Sequence, residues 1–123
     1  MIPENVRKII KKGEIIIFGT ASKNNIPNLI AVECCGLFED KILIAYCQFN
    51  KTLLNLKENN QVSVLASNKK EYFQLKGTAG YFNSCEWFDK VKKINELTEY
   101  KPKGAVVVTI NETYDLNKCV KLS

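Results

Sequence analysis

Apolar and polar positions alternate along most of this chain with the two-residue period of β-strands, interrupted by three stretches with helical spacing. The first stretch, residues 3–12, carries Val6, Ile9 and Ile10 on one face, opens with Pro3 and stops at Gly13 after three lysines, which predicts a helix. A β-branched run over 14–21 then reaches the turn residues Lys23-Asn24-Asn25, and a second extended run covers 28–38. Glu39-Asp40 predicts another turn into a third strand over 41–46, so the three strands form a meander. Residues 50–60, with Asn50 at the cap position and leucines at 53, 54 and 56, predict the second helix.

Strands follow over 61–66 and 72–82, the latter holding Gly77 and Gly80 where a barrel would bend. The third helix is predicted from Asn83 or Ser84, with Asn83 and Glu86 at capping-box spacing. Trp87, Val91 and Ile94 share its apolar face, and Trp87 reads as a core anchor. Lys101-Pro102-Lys103-Gly104 breaks the chain before two closing strands, 105–110 and 112–116. About seven modest strands joined by hairpins favour a mainly β (α+β) fold, an antiparallel barrel flanked by about three helices, over a parallel doubly wound sheet. Neither usual nucleotide-binding glycine fingerprint occurs, so a phosphate site has to be built another way.

The 123 residues suit one domain. The longest apolar runs are far shorter than a bilayer-spanning helix, and the first residues do not read as a cleavable leader; the expectation is a cytoplasmic protein with no membrane contact. Five cysteines, without C-x-x-C spacing, read as reduced and mostly structural. With no histidine, Cys-His and Ser-His nucleophilic machinery and His-containing zinc sites are excluded, which leaves a bound cofactor as the better carrier of any chemistry. The net charge of +5 is spread over scattered lysines without the aromatic interleaving that stacks bases. That pattern argues against nucleic acid and suits an anionic small ligand.

The most informative segment is Cys47-Gln48-Phe49-Asn50-Lys51-Thr52, where a strand ends and a helix begins. A helix N-terminus presents unpaired amides and a positive dipole end to an anion; Lys51 adds a full charge and Thr52 a hydroxyl. An exposed lysine after a cap is equally the ordinary surface arrangement. Cys34 and Cys35 are adjacent on a strand and so point to opposite faces rather than forming a redox pair. Glu33, the one acid in an apolar stretch, fits either a pocket or a solvent-facing position.

Six ordered segments carry a resemblance: Ile2-Pro3-Glu4, Phe18-Gly19-Thr20-Ala21-Ser22, Ile26-Pro27-Asn28-Leu29, Asn50-Lys51-Thr52 with Asn55-Leu56, Glu58-Asn59, and Gln74-Leu75-Lys76-Gly77-Thr78-Ala79, with Tyr114-Asp115-Leu116 as a closing strand. In this pattern the chain resembles the pyridoxamine 5′-phosphate oxidase-like family that binds flavin mononucleotide (FMN), and most closely its short members. The resemblance implies a six-stranded split barrel, a homodimer, and FMN at the subunit interface. It places the phosphate at Lys51 and Thr52, with Asn50 and Asn55 nearby, and the flavin against Ala31, Val32, Glu33 and Cys34. Ala45, Tyr46, Cys47, Gln48 and Phe49 match the loop beneath the ring, and Lys101 of the partner subunit is a candidate for the ring edge. No metal is implied.

The family's true oxidases continue into an arginine- and histidine-bearing segment that grips pyridoxal phosphate, and this chain has no histidine. Oxidation of vitamin B6 is therefore not expected. The function expected is that of an FMN-dependent oxidoreductase of unassigned substrate, supplied by a small-molecule or protein electron donor. The alternatives are a non-catalytic FMN electron carrier and a relative that binds the deazaflavin F420.

Overall fold

The computed structural model describes residues 2–46, 50–98 and 101–123. The order of elements is α1 (Glu4–Arg7), β1 (Ile15–Ala21), β2 (Pro27–Phe38), β3 (Lys41–Tyr46), α2 (Asn50–Glu58), β4 (Gln61–Ser67), β5 (Tyr72–Phe82), α3 (Cys85–Ile94), β6 (Gly104–Asp115) and β7 (Val120–Lys121). Six strands run antiparallel in the order β3-β2-β1-β4-β5-β6, and β3 pairs with β6 to close the ring. The expected six-stranded barrel is present, with β7 as a short addition at the end of β6.

Strand alternation fills the interior. Ile16, Phe18, Val64, Phe73, Leu75, Val106 and Val108 are buried in one cluster, while the residues between them face outward. The unbroken apolar run of β6 has a simple cause: Val106 and Val108 fill the barrel, and Ala105 and Val107 lie beneath α3 on the outside. Val91 of α3 is fully buried in that outer cluster, with Trp87 and Ile94 packed against it, as the helical spacing predicted. Trp87 stacks edge-on against Phe38, with ring centroids 6.1 Å apart.

Three local expectations need correction. Residues 3–12 do not form one helix: α1 is a single turn, followed by turns and a bend that let Ile2, Val6 and Ile10 all enter the barrel core. The segment is latched to the β2–β3 turn, where the Ile2 amide donates to the Asp40 carboxylate (3.1 Å) and the Arg7 guanidinium to the Glu39 carbonyl (2.6 Å). The capping box at α3 does not form. Ser84 holds the cap position without a side-chain hydrogen bond, and Cys85 sits at a φ of 73°.

The two predicted closing strands are one, β6, interrupted only by a bulge at Asn111. Its partner register jumps from Glu112 opposite Lys76 to Ile110 opposite Gly77. At that point the backbones approach so closely that a Cβ on Gly77 would lie 1.9 Å from the Thr109 carbonyl oxygen. Only glycine fits.

Candidate functional site

Strand β2 connects the two halves of the candidate site. At its start, Asn28 is the cross-strand partner of Thr20 on β1. The Asn28 side-chain amide donates to the Thr52 hydroxyl (3.2 Å), and the Asn55 amide on the same face of α2 donates to the Thr20 hydroxyl (3.0 Å). Thr20, Thr52 and Asn55 are all buried, so α2 is held to the turn end of the β1–β2 ladder by a pair of polar bridges. Among the described residues the Asn55 Oδ1 atom has no hydrogen-bond partner.

Lys51, one residue before the first bridge, is exposed on the opening turn of α2. The helix begins at Asn50 itself, where the sequence predicts a cap. A lysine charge on the first turn of a helix, beside amides that lack an intrahelical partner, is an arrangement that attracts an anion. Thr52 takes part through its position. At 1% exposure its hydroxyl serves α2 packing, and its backbone amide belongs to the same first turn.

Further along β2 the chain lines a second feature, a surface cavity of about 310 Å³ between this strand, Ala45 of β3 and the end of α3. Ala31, Val32, Glu33, Cys34 and Ala45 all border it, so five of the residues assigned from the sequence converge on one space. Glu33 is solvent-exposed and borders the cavity, so it meets both descriptions, a strand position facing solvent and the edge of a pocket. Val32 and Cys34 turn their side chains into the barrel core, while Cys35 lies in the outer cluster; the two adjacent cysteines do occupy opposite faces. Tyr46 departs from Ala45 in the same way. It is buried inside the barrel, edge-on to Tyr81 at 5.3 Å.

Cys47, Gln48 and Phe49 lie outside the described residues, and Lys101 is exposed on the segment before β6 and does not line its own chain's cavity. The remaining wall consists of Lys12, Cys35, Ile94, Asn95 and Thr98. Asn95 caps α3 and orders this wall: its side-chain amide donates to the Val91 carbonyl (2.8 Å) and to the Cys35 sulfur (3.7 Å). Burial raises the Cys35 thiol pKa, against the lowering effect of the Asn95 hydrogen bond, so the thiol stays neutral near pH 7. These wall residues were missed from sequence because they come together only when α3 docks on the barrel. The apolar spacing of Val91 and Ile94 was the one available signal.

Among the described residues no group of three or more His, Cys, Asp or Glu side chains is placed to hold a metal ion, and no helix is long and apolar enough to cross a membrane.

A closed six-stranded antiparallel barrel with helices packed outside and a cleft along β2 defines the split-barrel class. The sequence profile described as pyridoxamine 5′-phosphate oxidase matches residues 2–117, and the chain belongs to that family. It is 36% identical over 111 residues to "Uncharacterized protein MJ0282" of Methanocaldococcus jannaschii, covering 85% of this chain and 74% of the relative.

Among solved structures, HupZ of Group A Streptococcus superposes with a TM-score of 0.90 at 13% identity over the whole of both chains. An FMN-binding protein from Syntrophomonas wolfei subsp. wolfei gives 0.76 at 21%, covering 92% of this chain and 84% of its own. An F420 reductase gives 0.73 at 14% (91% and 98% covered), and HutZ, the heme storage protein of Vibrio cholerae, 0.69 at 11% (91% and 90%). At these identities the likeness shows a shared fold, and the fold accommodates flavin, deazaflavin and heme proteins.

Proposed function

We propose that this chain is an FMN-binding flavoprotein that works as a homodimeric oxidoreductase, with FMN held along β2 and covered by a second subunit. One observation carries the reading: a single strand leads from the anion-attracting turn of α2, touched by Asn28, to the cavity bordered by Ala31 and Glu33. From residue 28 to residue 33 an extended strand advances about 17 Å, a span suited to a phosphate at one end and a fused ring system at the other.

The residues present fit that group. Lys51 and the amides of the first turn of α2 would hold the phosphate by charge-assisted contacts. Ala31 and Ala45, with small side chains, leave room for a flat ring beside the backbone of β2. Glu33, Asn95 and Thr98 offer polar contacts at the ring edge, and Lys12 supplies a positive charge on the same wall. Bound FMN would supply the electron or hydride transfer, with reducing equivalents from a small molecule or a protein. The side chains bind and orient; none of them needs to act as a nucleophile.

Exposed apolar residues near the first turn of α2 support the second subunit. Leu29 on β2 is 72% exposed and Leu54 on α2 is 57% exposed, on either side of the Asn28–Thr52 bridge.

The test is a fluorescence titration of FMN and riboflavin. Wild type is expected to prefer FMN, and Lys51→Ala to lose about ten- to hundredfold in FMN affinity with riboflavin unchanged. Equal affinity for the two ligands would remove the phosphate site. The absorption spectrum of protein reconstituted with FMN, F420 or heme separates this reading from the F420 alternative and from heme storage.

A further inference from the structure

We propose that the Asn28–Thr52 and Thr20–Asn55 bridges are positioning elements that set the selectivity of α2 for a phosphate-bearing ligand; this rests on the FMN reading above. The motive is that the contact is built against stability. Thr20, Thr52 and Asn55 are 5%, 1% and 0% exposed, and the Asn55 Oδ1 acceptor is buried with no partner among the described residues, a state that costs folding free energy. Leu53 and Leu56 of the same helix already pack on the barrel core. An apolar pair in place of each bridge would attach α2 at least as firmly.

Hydrogen bonds contribute what apolar packing does not, a defined register. The two bridges are reciprocal: a strand amide meets a helix hydroxyl, and three residues on a helix amide meets a strand hydroxyl. Thr20 and Asn28 face each other across β1 and β2, so both bridges are set by one strand register. A half-turn slide or rotation of α2 would break both together. Thr52 belongs to the first turn itself, one residue after Lys51, so the direction of the unpaired amides and of the lysine follows from these bonds. Orientation matters for a charge-assisted contact to an anion far more than for the apolar contacts of a ring.

The experiment replaces the inner bridge by apolar groups of similar volume, Thr20→Val with Asn55→Leu, and measures the thermal midpoint and the affinities for FMN and riboflavin. A positioning role is expected to leave the midpoint unchanged or raised and riboflavin affinity unchanged, while FMN affinity drops about tenfold. Thr20→Ser, which keeps the hydroxyl, should retain wild-type FMN affinity. Equal losses for both ligands, or a variant that keeps the full preference for FMN, would overturn the inference and reduce the bridges to scaffolding. If the double variant does not fold, Asn28→Ala at the half-buried outer bridge is read by the same criteria. A wild-type protein without preference for FMN would instead overturn the phosphate reading, and this inference with it.

Discussion

Cys34 and Cys35 show how a single residue's environment follows from strand geometry. Neighbours in sequence, they enter different clusters, and a bulge at this point shifts the β2–β3 register from Cys34 opposite Ile44 to Gly36 opposite Leu43. Burial is the main force raising the Cys34 thiol from the usual 9.0 to about 11, opposed by the Gly36 amide that donates to its sulfur (3.3 Å). The sign follows from proton linkage. Between pH 9 and 11 the unfolded chain releases this proton and the folded chain keeps it, so stability present below pH 9 falls as the pH rises through that window. Urea unfolding at pH 8 and pH 11 is expected to show a smaller alkaline loss, by about 2 kcal/mol, in Cys34→Val than in wild type. Identical losses would mean the thiol ionises freely in the folded protein.

At this scale the sequence was readable where one residue's chemistry is local. Lys51 stands out as a charge at a strand-to-helix junction, and Glu33 as an acid in an apolar run. Asn95 and Thr98 could not be singled out, because what matters about them is the wall they share with Cys35, sixty positions away for Asn95.

Among the elements, strands were easier to place than ends and interruptions. The period-two pattern marked β1 to β5 closely, since one face of each strand fills the barrel. Asn111 looks like a break in the sequence because a turn-favouring residue ends the apolar run 105–110 and polar residues follow it; pairing with β5 makes it a bulge instead. Residues 3–12 have helical spacing, yet Ile2 and Ile10 are drawn into the barrel by burial, which outweighs propensity over so short a stretch.

The bulge gives a sharp expectation. Gly77→Ala forces β5 and β6 apart, because the added carbon meets rigid backbone, and should lose about 3 kcal/mol or more in chemical denaturation. Gly19→Ala meets chiefly the movable end of Leu29 (3.0 Å) and should lose clearly less. Equal effects would mean that the close β5–β6 approach is not maintained in solution.

For the whole molecule, the proposed dimer makes cofactor binding and association one equilibrium. Light scattering across a dilution series should show a dimer that persists to lower concentration when FMN is present. Leu29→Glu, which puts a charge at the most exposed apolar position of β2, is expected to give a monomer with weakened FMN binding. A Leu29→Glu monomer that binds FMN as wild type does would separate the cofactor from the interface. Sequence pattern reached the barrel but not the shape of its cleft, since the cleft arises from four separate stretches, residue 12, residues 31–35, residue 45, and residues 94, 95 and 98, that only the closed fold brings together.

The seam that closes the barrel joins residues 41–46 to residues 104–109. During synthesis on the ribosome, β3 therefore emerges some sixty residues before the strand that pairs with its free edge. Throughout that interval the nascent chain carries an open sheet edge and an unsealed apolar interior, the surfaces most prone to wrong pairing. Because β6 completes the ring by pairing with both β3 and β5, its emergence from the exit tunnel is the event that removes both hazards together.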